Sequence, residues 1–384
     1  MHILVIYLGT RGGQAIDTFE LLKSWSSRKI NIYSLIISQD NWIRERYKDL
    51  PLKNLFSIKT HQRFLVDLVI QTIFIWRPLK LIRTIKAVQP DIVFFSADHF
   101  WNIFCFYFIR MTQNNTRIVY LRHNSDNLWG SSSKIINIFL EAVSRTLLKA
   151  DLIITLSHSV RDAVIRKYQV STKKVFAFPL GVHTSFYGRN SLSKSYTSFS
   201  GTNPLRLLFF GRIVEYKGLD VLIDAFGKMK EKNIPVRLTI AGEGRISSFN
   251  LEQIERLGIA FRNEWIEEDS ITSLFNAHDI LILPYRITSQ SGPASIATAF
   301  AMPMIATNIG ALKEQVIDQF NGILVEKDSS HAILVAVSQI ITNPSLLQTF
   351  INNSEILRKK LSWEVIGGNI EEIFSSLYEK KNSL

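Results

Sequence analysis

The sequence contains one cysteine in 384 residues, Cys105. A single cysteine cannot form a disulfide within the chain, which excludes a disulfide-stabilised scaffold and fits a reducing compartment. Apolar runs long enough to span a membrane are also missing, because the longest candidate, Phe100 to Ile109, falls well short of the ~20 residues that a spanning helix needs. The N-terminal MHILVIYLG lacks a cationic leader and predicts a strand rather than a signal peptide. We therefore expect a soluble or peripheral cytoplasmic protein.

Acidic residues are scarce in only one half of the chain. Residues 1–200 hold 27 Lys and Arg against 12 Asp and Glu, whereas residues 201–384 hold 18 against 21. The net charge of +12 therefore belongs to the first half, which predicts a polyanionic partner there, either an anionic membrane surface or nucleic acid. Nucleic acid is the weaker prediction, because the basic residues lie among long apolar runs and no reader motif is recognisable.

Two ligand motifs are absent as well. The glycine-rich turn after the first strand does not have the GxGxxG spacing, so a dinucleotide fingerprint is missing. No Asp-x-Asp pair occurs, and we predict that neither a catalytic metal nor another cofactor takes part.

What the sequence does contain is a repeated alternation of apolar strands and amphipathic helices, which predicts an α/β fold with two Rossmann-like domains. The predicted domains are residues 1–183 and 205–362, joined by a Ser/Thr/Gly-rich linker at 184–204 and followed by a helix at 363–384. Two such domains imply a ligand cleft between them.

The first domain offers two candidate ligand contacts. Gly12 and Gly13 follow the first strand and would let a backbone approach a ligand, although a tight turn explains them equally well. His123 ends a predicted strand at Ile118–Leu121, where doubly wound folds place ligands. It is either a general base, a ligand contact or a satisfied loop histidine.

Residues 41–86 combine basic residues with an apolar segment, Phe64 to Trp76, and with the sequence KLIRTIK. A basic amphipathic helix with aromatic residues predicts binding to a membrane interface. The alternative is a buried helix flanked by solvated lysines.

The second domain carries the clearest anion chemistry. GRIVEYKG places Arg212 and Lys217 in one loop between a strand and a helix, and two cations beside a helix N-terminus suit a diphosphate. A solvated basic loop is the alternative. A second such loop, Ser289 to Gly292, precedes Pro293 at a predicted helix start and is expected to hold a phosphate, unless it is an ordinary Ser-rich connection. A helix of the same domain, Asp269 to Ala277, is predicted to have Asp269 as its N-terminal cap.

With GRIVEYKG, AGEGR and PMIATNIGALKEQV, nearly the whole chain resembles the family-4 glycosyltransferases of the GT-B fold. The resemblance implies that Arg212 and Lys217 contact the donor diphosphate and that His123 contacts the transferred sugar. It also implies that the C-terminal helix crosses back onto the first domain. The further residues implied to bind the donor are Gly12, Gly13, Gly211, Gly242, Glu243, Gly244, Arg262, Asn263, Thr288, Ser289, Gln290, Ser291 and Gly292.

The chain departs from the family at two positions. Where the family usually has two glutamates, this sequence has Thr288 and Ile296. It looks like a subgroup with Ser-Gln-Ser-Gly in this loop, found among enzymes of bacterial exopolysaccharide and O-antigen assembly.

The resulting hypothesis is a transferase, by resemblance retaining, that moves a sugar from a UDP- or GDP-sugar to a polyprenyl-linked or growing saccharide at the inner membrane face. Two rivals stay open: a nucleotide-sugar 2-epimerase of the same architecture, and a degenerate or purely binding protein.

Overall fold

The computed structural model describes residues 1–10, 12–28, 31–60, 76–113, 115–124, 134–184 and 203–382. The apolar segment from Phe64, apart from Trp76, and the linker between residues 184 and 203 lie outside the described residues. The chain divides into two compact units, one formed by Met1–Phe178 with Trp363–Leu384 and the other by Pro179–Ser362.

The first unit is built on a seven-stranded sheet in which all pairings of the described strands are parallel, in the order β3-β2-β1-β4-β5-β6-β7. Short, almost wholly apolar segments form these strands, as expected where helices cover both faces of a sheet. The strands are β1 (His2–Tyr7), β2 (Ile32–Ser38), β3 (Asn54–Ile58), β4 (Ile92–Phe95), β5 (Arg117–Arg122), β6 (Leu152–Thr155) and β7 (Val175–Ala177). The helices are α1 (Gly13–Arg28), α2 (Trp76–Val88), α3 (Asn102–Thr112), α4 (Lys134–Leu147) and α5 (His158–Tyr168).

The last helix of the chain, α13 (Trp363–Asn382), belongs to this first unit. Trp25 on α1 donates its indole N–H to the Gly367 carbonyl at 2.7 Å, and its ring packs against Phe374. Gly367 is required at this crossing, because a Cβ there would overlap Ser24 Oγ. The C-terminal segment therefore completes the core of the unit that begins the chain.

The second unit holds a six-stranded sheet with parallel pairings in the order β10-β9-β8-β11-β12-β13. Its strands are β8 (Leu205–Phe210), β9 (Val236–Ala241), β10 (Ala260–Arg262), β11 (Ile280–Leu283), β12 (Met304–Thr307) and β13 (Gly322–Val325). Its helices are α6 (Leu219–Glu231), α7 (Ser248–Leu257), α8 (Glu268–Asn276), α9 (Gly292–Ala299), α10 (Leu312–Gln315), α11 (Ser330–Thr342) and α12 (Pro344–Lys360).

The strand order indicates the part of each sheet at which a ligand is expected to bind. Strand order reverses at β1 and β4 in the first sheet and at β8 and β11 in the second. In open α/β sheets, the loops at the carboxyl ends of the two switch strands diverge and leave a crevice. The loops after β8 and β11, which contain Arg212, Lys217 and Thr288 to Gly292, are therefore neighbours. The predicted α/β fold is confirmed.

Strand β3, within residues 41–86, was not predicted from the sequence, because it forms by pairing with β2 at the sheet edge despite the mixed pattern NLFSI. Two local predictions were wrong. Helix α8 begins at Glu268 after Glu267, so Asp269 lies inside its first turn instead of capping it. Helix α3, expected from Ala97, begins at Asn102 because Asn102 bonds the Ala97 carbonyl and holds the preceding residues in a loop.

Within the described residues, no single helix is long and apolar enough to cross a membrane. Helices α11 and α12 pass that test together by length and composition, but they bend by 100° at their junction.

Candidate functional site

The loop after β8 brings a cation back over the end of its own strand. Gly211 ends β8 with φ +122°, a conformation that L side chains rarely adopt. A Cβ at this position would lie 2.8 Å from Lys217 Nζ and 3.3 Å from Pro293 in the first turn of α9. The glycine therefore makes room for the Lys217 ammonium group between β8 and the start of α9.

Lys217 is buried, with 7% of its surface exposed. Its ammonium group donates to Tyr285 Oη at 2.9 Å and lies 4.6 Å from the centre of the same ring. No carboxylate of the described chain pairs with it. Burial, with a smaller contribution from the charge of Arg212, lowers the pKa of Lys217 from 10.5 to about 8. The site thus holds a desolvated cation whose charge no carboxylate among the described residues balances.

Arg212 differs from Lys217 in being exposed. Its guanidinium group makes no hydrogen bond or ion pair with any residue that the structure describes. The loop therefore presents one buried and one exposed cation, which together suit an anion that reaches the strand end from solvent.

The predicted Gly-Glu-Gly turn after β9 packs directly against this loop. A Cβ at Gly242, where φ is +144°, would overlap the Gly211 carbonyl, and a Cβ at Gly244 would overlap the Ile213 carbonyl. Ile213 N–H donates to the Glu243 carbonyl at 2.9 Å. Only glycine permits this backbone-to-backbone approach, so the two predicted loops form one surface.

Arg262 and Asn263 join the same surface from the end of β10. Gly242 N–H donates to the Arg262 carbonyl at 3.0 Å, and Gly244 N–H donates to Asn263 Oδ1 at 3.0 Å. The Arg262 side chain forms an ion pair with Glu264, in which Nη2 donates to Oε1 at 2.8 Å. The structure thus gathers the predicted residues of β8, β9 and β10 at one sheet edge.

The loop after β11 ends in a capped helix. Ser291 is the N-cap of α9, and its hydroxyl accepts from Ala294 N–H at 3.2 Å. The Gln315 side chain pairs with the Ser291 backbone, accepting from its N–H and donating to its carbonyl, both at 3.0 Å. The N–H of Ser291 is thereby occupied, whereas a Cβ at Gly292 would meet nothing within 4 Å. That this loop holds a phosphate stays a prediction, with Gly292 as its most open position.

The two positions where carboxylates are expected lie in this same part of the unit. Thr288 donates its hydroxyl to the Gln290 carbonyl at 2.9 Å, and Ile296 is buried on α9. Ser289 is also buried, and Gln290 Nε2 is buried without a hydrogen-bond partner. Both positions where the resemblance implies glutamates therefore carry neutral side chains.

In the first unit, Gly12 and Gly13 lie beside open space at the start of α1, since a Cβ at either would meet nothing within 4 Å. His123 is buried, and its Nε2 lies 2.8 Å from the Ser96 carbonyl. A carbonyl only accepts, so Nε2 carries the proton and Nδ1 keeps the lone pair in the neutral ring. Nδ1 makes no hydrogen bond and lies 3.8 Å from Asp17 Oδ2. A contact between His123 and a sugar would have to use this nitrogen.

Sequence reasoning missed three residues of the second site: Tyr285, Arg286 and Gln315. Tyr285 and Arg286 directly follow β11, and a polar residue at the carboxyl end of a switch strand is the signal that could have drawn attention to them. Gln315 gives no such signal, because its contact with Ser291 joins residues far apart in sequence.

Two Rossmann-like units with polar and glycine-rich loops at their switch points define a two-domain α/β architecture. A Glycosyltransferase Family 4 model matches residues 11–186, and a "Glycosyl transferases group 1" model matches residues 196–356. With the two sheets, these consecutive matches support a family-4-like glycosyltransferase of the GT-B fold.

Known proteins agree with this assignment. The uncharacterized glycosyltransferase MJ1178 of Methanocaldococcus jannaschii is 32% identical over 178 residues, which cover 44% of this chain and 48% of that protein. This match therefore spans about half the length of the curated relative. HepE from Anabaena, solved in complex with UDP and glucose, superposes with a TM-score of 0.73 at 18% identity, covering 97% of this chain and 99% of HepE.

A 2-epimerase has the same fold. UDP-GlcNAc 2-epimerase from Neisseria meningitidis, solved with UDP-GlcNAc, superposes with a TM-score of 0.62 at 14% identity, covering 98% of this chain and all of the epimerase chain. At such identities the superpositions establish the fold alone.

Proposed function

We propose that the protein transfers a sugar from a nucleoside-diphosphate donor to a saccharide acceptor. The observation that carries this proposal is Lys217, a buried ammonium group that no described carboxylate balances, beside exposed Arg212. A buried charge is costly unless an opposite charge joins it. A diphosphate at the end of β8 would supply that charge. UDP is the first donor nucleotide to test, because HepE was solved with UDP, and GDP is the second.

In this reaction the bond between the anomeric carbon and the diphosphate oxygen breaks, an acceptor hydroxyl oxygen bonds the anomeric carbon and releases its proton to solvent, and the diphosphate leaves with an additional negative charge. Lys217 and Arg212 would stabilise that charge electrostatically. With neutral Thr288 and Ile296 in place of the glutamates, no carboxylate at these positions opposes the charge. The reaction is proposed to need no metal, and the retaining course implied by the family is part of the same proposal.

The proposed acceptor is a polyprenyl-linked or growing saccharide of bacterial surface polysaccharide synthesis. Its support is the Ser-Gln-Ser-Gly loop, Ser289 to Gly292, which resembles that of exopolysaccharide and O-antigen enzymes. The acceptor would enter by the first unit, where Gly12 and Gly13 border open space.

A membrane-bound acceptor also accounts for the exposed surface of α2 and α3. These neighbouring helices expose basic and large apolar side chains together, namely Lys80, Arg83, Lys86, Phe104, Tyr107 and Met111. Such a surface suits the interface of an anionic bilayer, where each basic residue contributes about 1 kcal/mol. The protein would thus be cytoplasmic and peripheral to the inner face of the membrane.

The test begins with binding. UDP and GDP are titrated into the protein by calorimetry, and candidate nucleotide sugars are then assayed for turnover with membrane extracts as acceptor. Lys217→Ala should abolish binding of the donor nucleotide while far-ultraviolet circular dichroism stays unchanged. Normal nucleotide binding by this variant would contradict the assignment of Lys217 to the donor diphosphate.

Two further measurements separate the alternatives. An epimerase converts its sugar nucleotide without an acceptor, so product analysis with donor alone distinguishes the rival, which the glycosyltransferase family matches already disfavour. Flotation with anionic vesicles at low salt tests the membrane surface, and a protein that stays in the soluble fraction would remove that part of the proposal.

A further inference from the structure

The turn that carries Lys217 is held by one residue of another segment, through its backbone and its side chain. This turn, a single 3-10 turn at Glu215–Lys217, has its first two carbonyls bonded by Arg286. Arg286 donates its backbone N–H to the Tyr216 carbonyl at 2.7 Å and Nη1 to the Glu215 carbonyl at 3.0 Å. Two consecutive carbonyls of the turn are thus fixed from the loop after β11.

The same guanidinium group is anchored on its other side by two carboxylates. Asp220 in the first turn of α6 accepts from Nη1 at 2.9 Å and from Nη2 at 2.7 Å, while Asp328 before α11 accepts from Nε at 2.6 Å. Arg286 holds the pKa of Asp220 below its ordinary value, as expected for a close ion pair. Arg286 therefore joins the turn, α6 and the segment before α11 through one planar group.

This arrangement does more than an ordinary surface ion pair, which contributes little to stability. The turn has no room to shift toward β11, because a Cβ at Gly218 would overlap the Pro284 carbonyl. Tyr285, between Pro284 and Arg286, receives the hydrogen bond from Lys217 Nζ. Three consecutive residues therefore set the position of the turn: Pro284 by backbone contact, Tyr285 at the ammonium group and Arg286 at the carbonyls.

We propose that Arg286 is a positioning residue of the donor site, which fixes the 215–217 turn so that the Lys217 ammonium group meets the donor diphosphate. This proposal rests on the proposed function, although its geometry does not. A bidentate guanidinium is needed, because a lysine cannot bond two carboxylates and a carbonyl in one plane. Small misplacements of a charge-stabilising group cost activity steeply, about 100-fold for 1 Å.

The experiment compares Arg286→Gln and Arg286→Lys with a matched control, Lys228→Gln. Lys228 forms the neighbouring exposed pair on α6, with Asp224 at 2.8 Å and Ser330 at 2.8 Å, and its described contacts do not reach the turn. Both Arg286 variants should weaken UDP binding by about tenfold and lower kcat further, whereas Lys228→Gln should match the wild type. Asp220→Asn should reproduce part of the loss, and its combination with Arg286→Gln should add little to it.

A second readout needs no ligand. The titration of Lys217, followed by NMR of its side-chain nitrogen, should move upward both in Arg286→Gln and in Arg286→Lys, since a loosened turn admits water to the ammonium group. Arg286→Lys is the decisive variant, because it keeps a positive charge beside Asp220 and Asp328 and leaves Arg212, Tyr216 and Tyr285 around Lys217 unaltered. An ion pair that only stabilises the fold would leave the titration unchanged in Arg286→Lys.

The outcomes separate the two proposals. If the wild type binds neither UDP nor GDP, the proposed function fails, while the titration of Lys217 still tests the positioning role. If the wild type binds UDP and Arg286→Gln binds it equally well with an unmoved Lys217 titration, Arg286 has no positioning role. Full activity in Arg286→Lys would likewise overturn the need for a bidentate group.

Discussion

Replacing Lys217 by methionine should stabilise the ligand-free protein and abolish its donor binding. The pKa of Lys217 is lowered from 10.5 to about 8, chiefly by burial. The unfolded chain therefore binds more protons than the folded chain between these two pH values, and stability rises with pH across that window. Below pH 8 the full cost of the buried charge is present, about 3 kcal/mol at 1.36 kcal/mol for each pH unit.

Methionine removes this cost but also removes the hydrogen bond from Nζ to Tyr285 Oη, which is worth about 1 kcal/mol. The net gain at pH 7 is about 2 kcal/mol. For a unit of this size that corresponds to a rise in melting temperature of roughly 4–8 °C. The gain should shrink steadily as the pH is raised from 8 toward 10.5 and should fall below about 1 kcal/mol at pH 9.5, because the lysine is then neutral in the folded state and only the unfolded chain still binds its proton.

The assay is thermal unfolding at pH 7 and pH 9.5, with calorimetric titration of UDP at pH 7. Lys228→Met is the control, since Lys228 is largely exposed, and its effect should stay within about 0.5 kcal/mol. A Lys217→Met protein that is less stable than the wild type at pH 7, by the same amount at both pH values, would refute the claim that this ammonium group is buried and charged.

Three other results are expected. Arg212→Ala should leave the melting temperature unchanged and reduce turnover by about 100-fold or more, because the exposed guanidinium group has no described partner to lose; the measurement is initial rates beside the melting curve. Gly242→Ala should destabilise the second unit by more than about 2 kcal/mol in a denaturation assay, because its Cβ would overlap the Gly211 carbonyl and φ at this position is +144°. Gly13→Ala is the control and should fold normally, because a Cβ at Gly13 meets nothing within 4 Å. Chelation of divalent cations by EDTA should leave the initial rate unchanged, and a rate restored only by added Mg²⁺ would contradict the metal-free proposal.

The order of elements could be predicted from the sequence because buried parallel strands give continuous apolar runs. The same patterns placed the loop of Arg212 and Lys217 and the capped start of α9, where Ser291 was expected near the cap. Strand β3 escaped this reasoning because its five residues alternate poorly and become a strand only through pairing with β2. Pairing at a sheet edge depends on the neighbouring strand, so it cannot be predicted from the residue pattern of the segment itself.

The remaining parts of the site depend on contacts between distant segments. Lys217 was recognisable as a cation, but its burial depends on Tyr285, and the hold on its turn depends on Arg286. In the first unit, buried Arg122 pairs with Asp98 at 2.9 Å, which no periodicity indicates. Local patterns identify candidate residues, whereas the protonation state and rigidity of those residues follow from tertiary contacts.

The absence of the two expected glutamates is consistent with the low pKa of Lys217. A glutamate at position 288 or 296 would lie in the same loop and helix as the residues next to Lys217, and a nearby negative charge raises the pKa of an amine. With Thr288 and Ile296 instead, the described surroundings of Lys217 contain Arg212 and Tyr285 but no paired anion. A donor diphosphate bound as proposed would not compete with a protein carboxylate for the ammonium group. On the proposed function, the departure of this loop from the family would thus favour binding of the anion, and the unpaired charge would cost stability when the anion is absent.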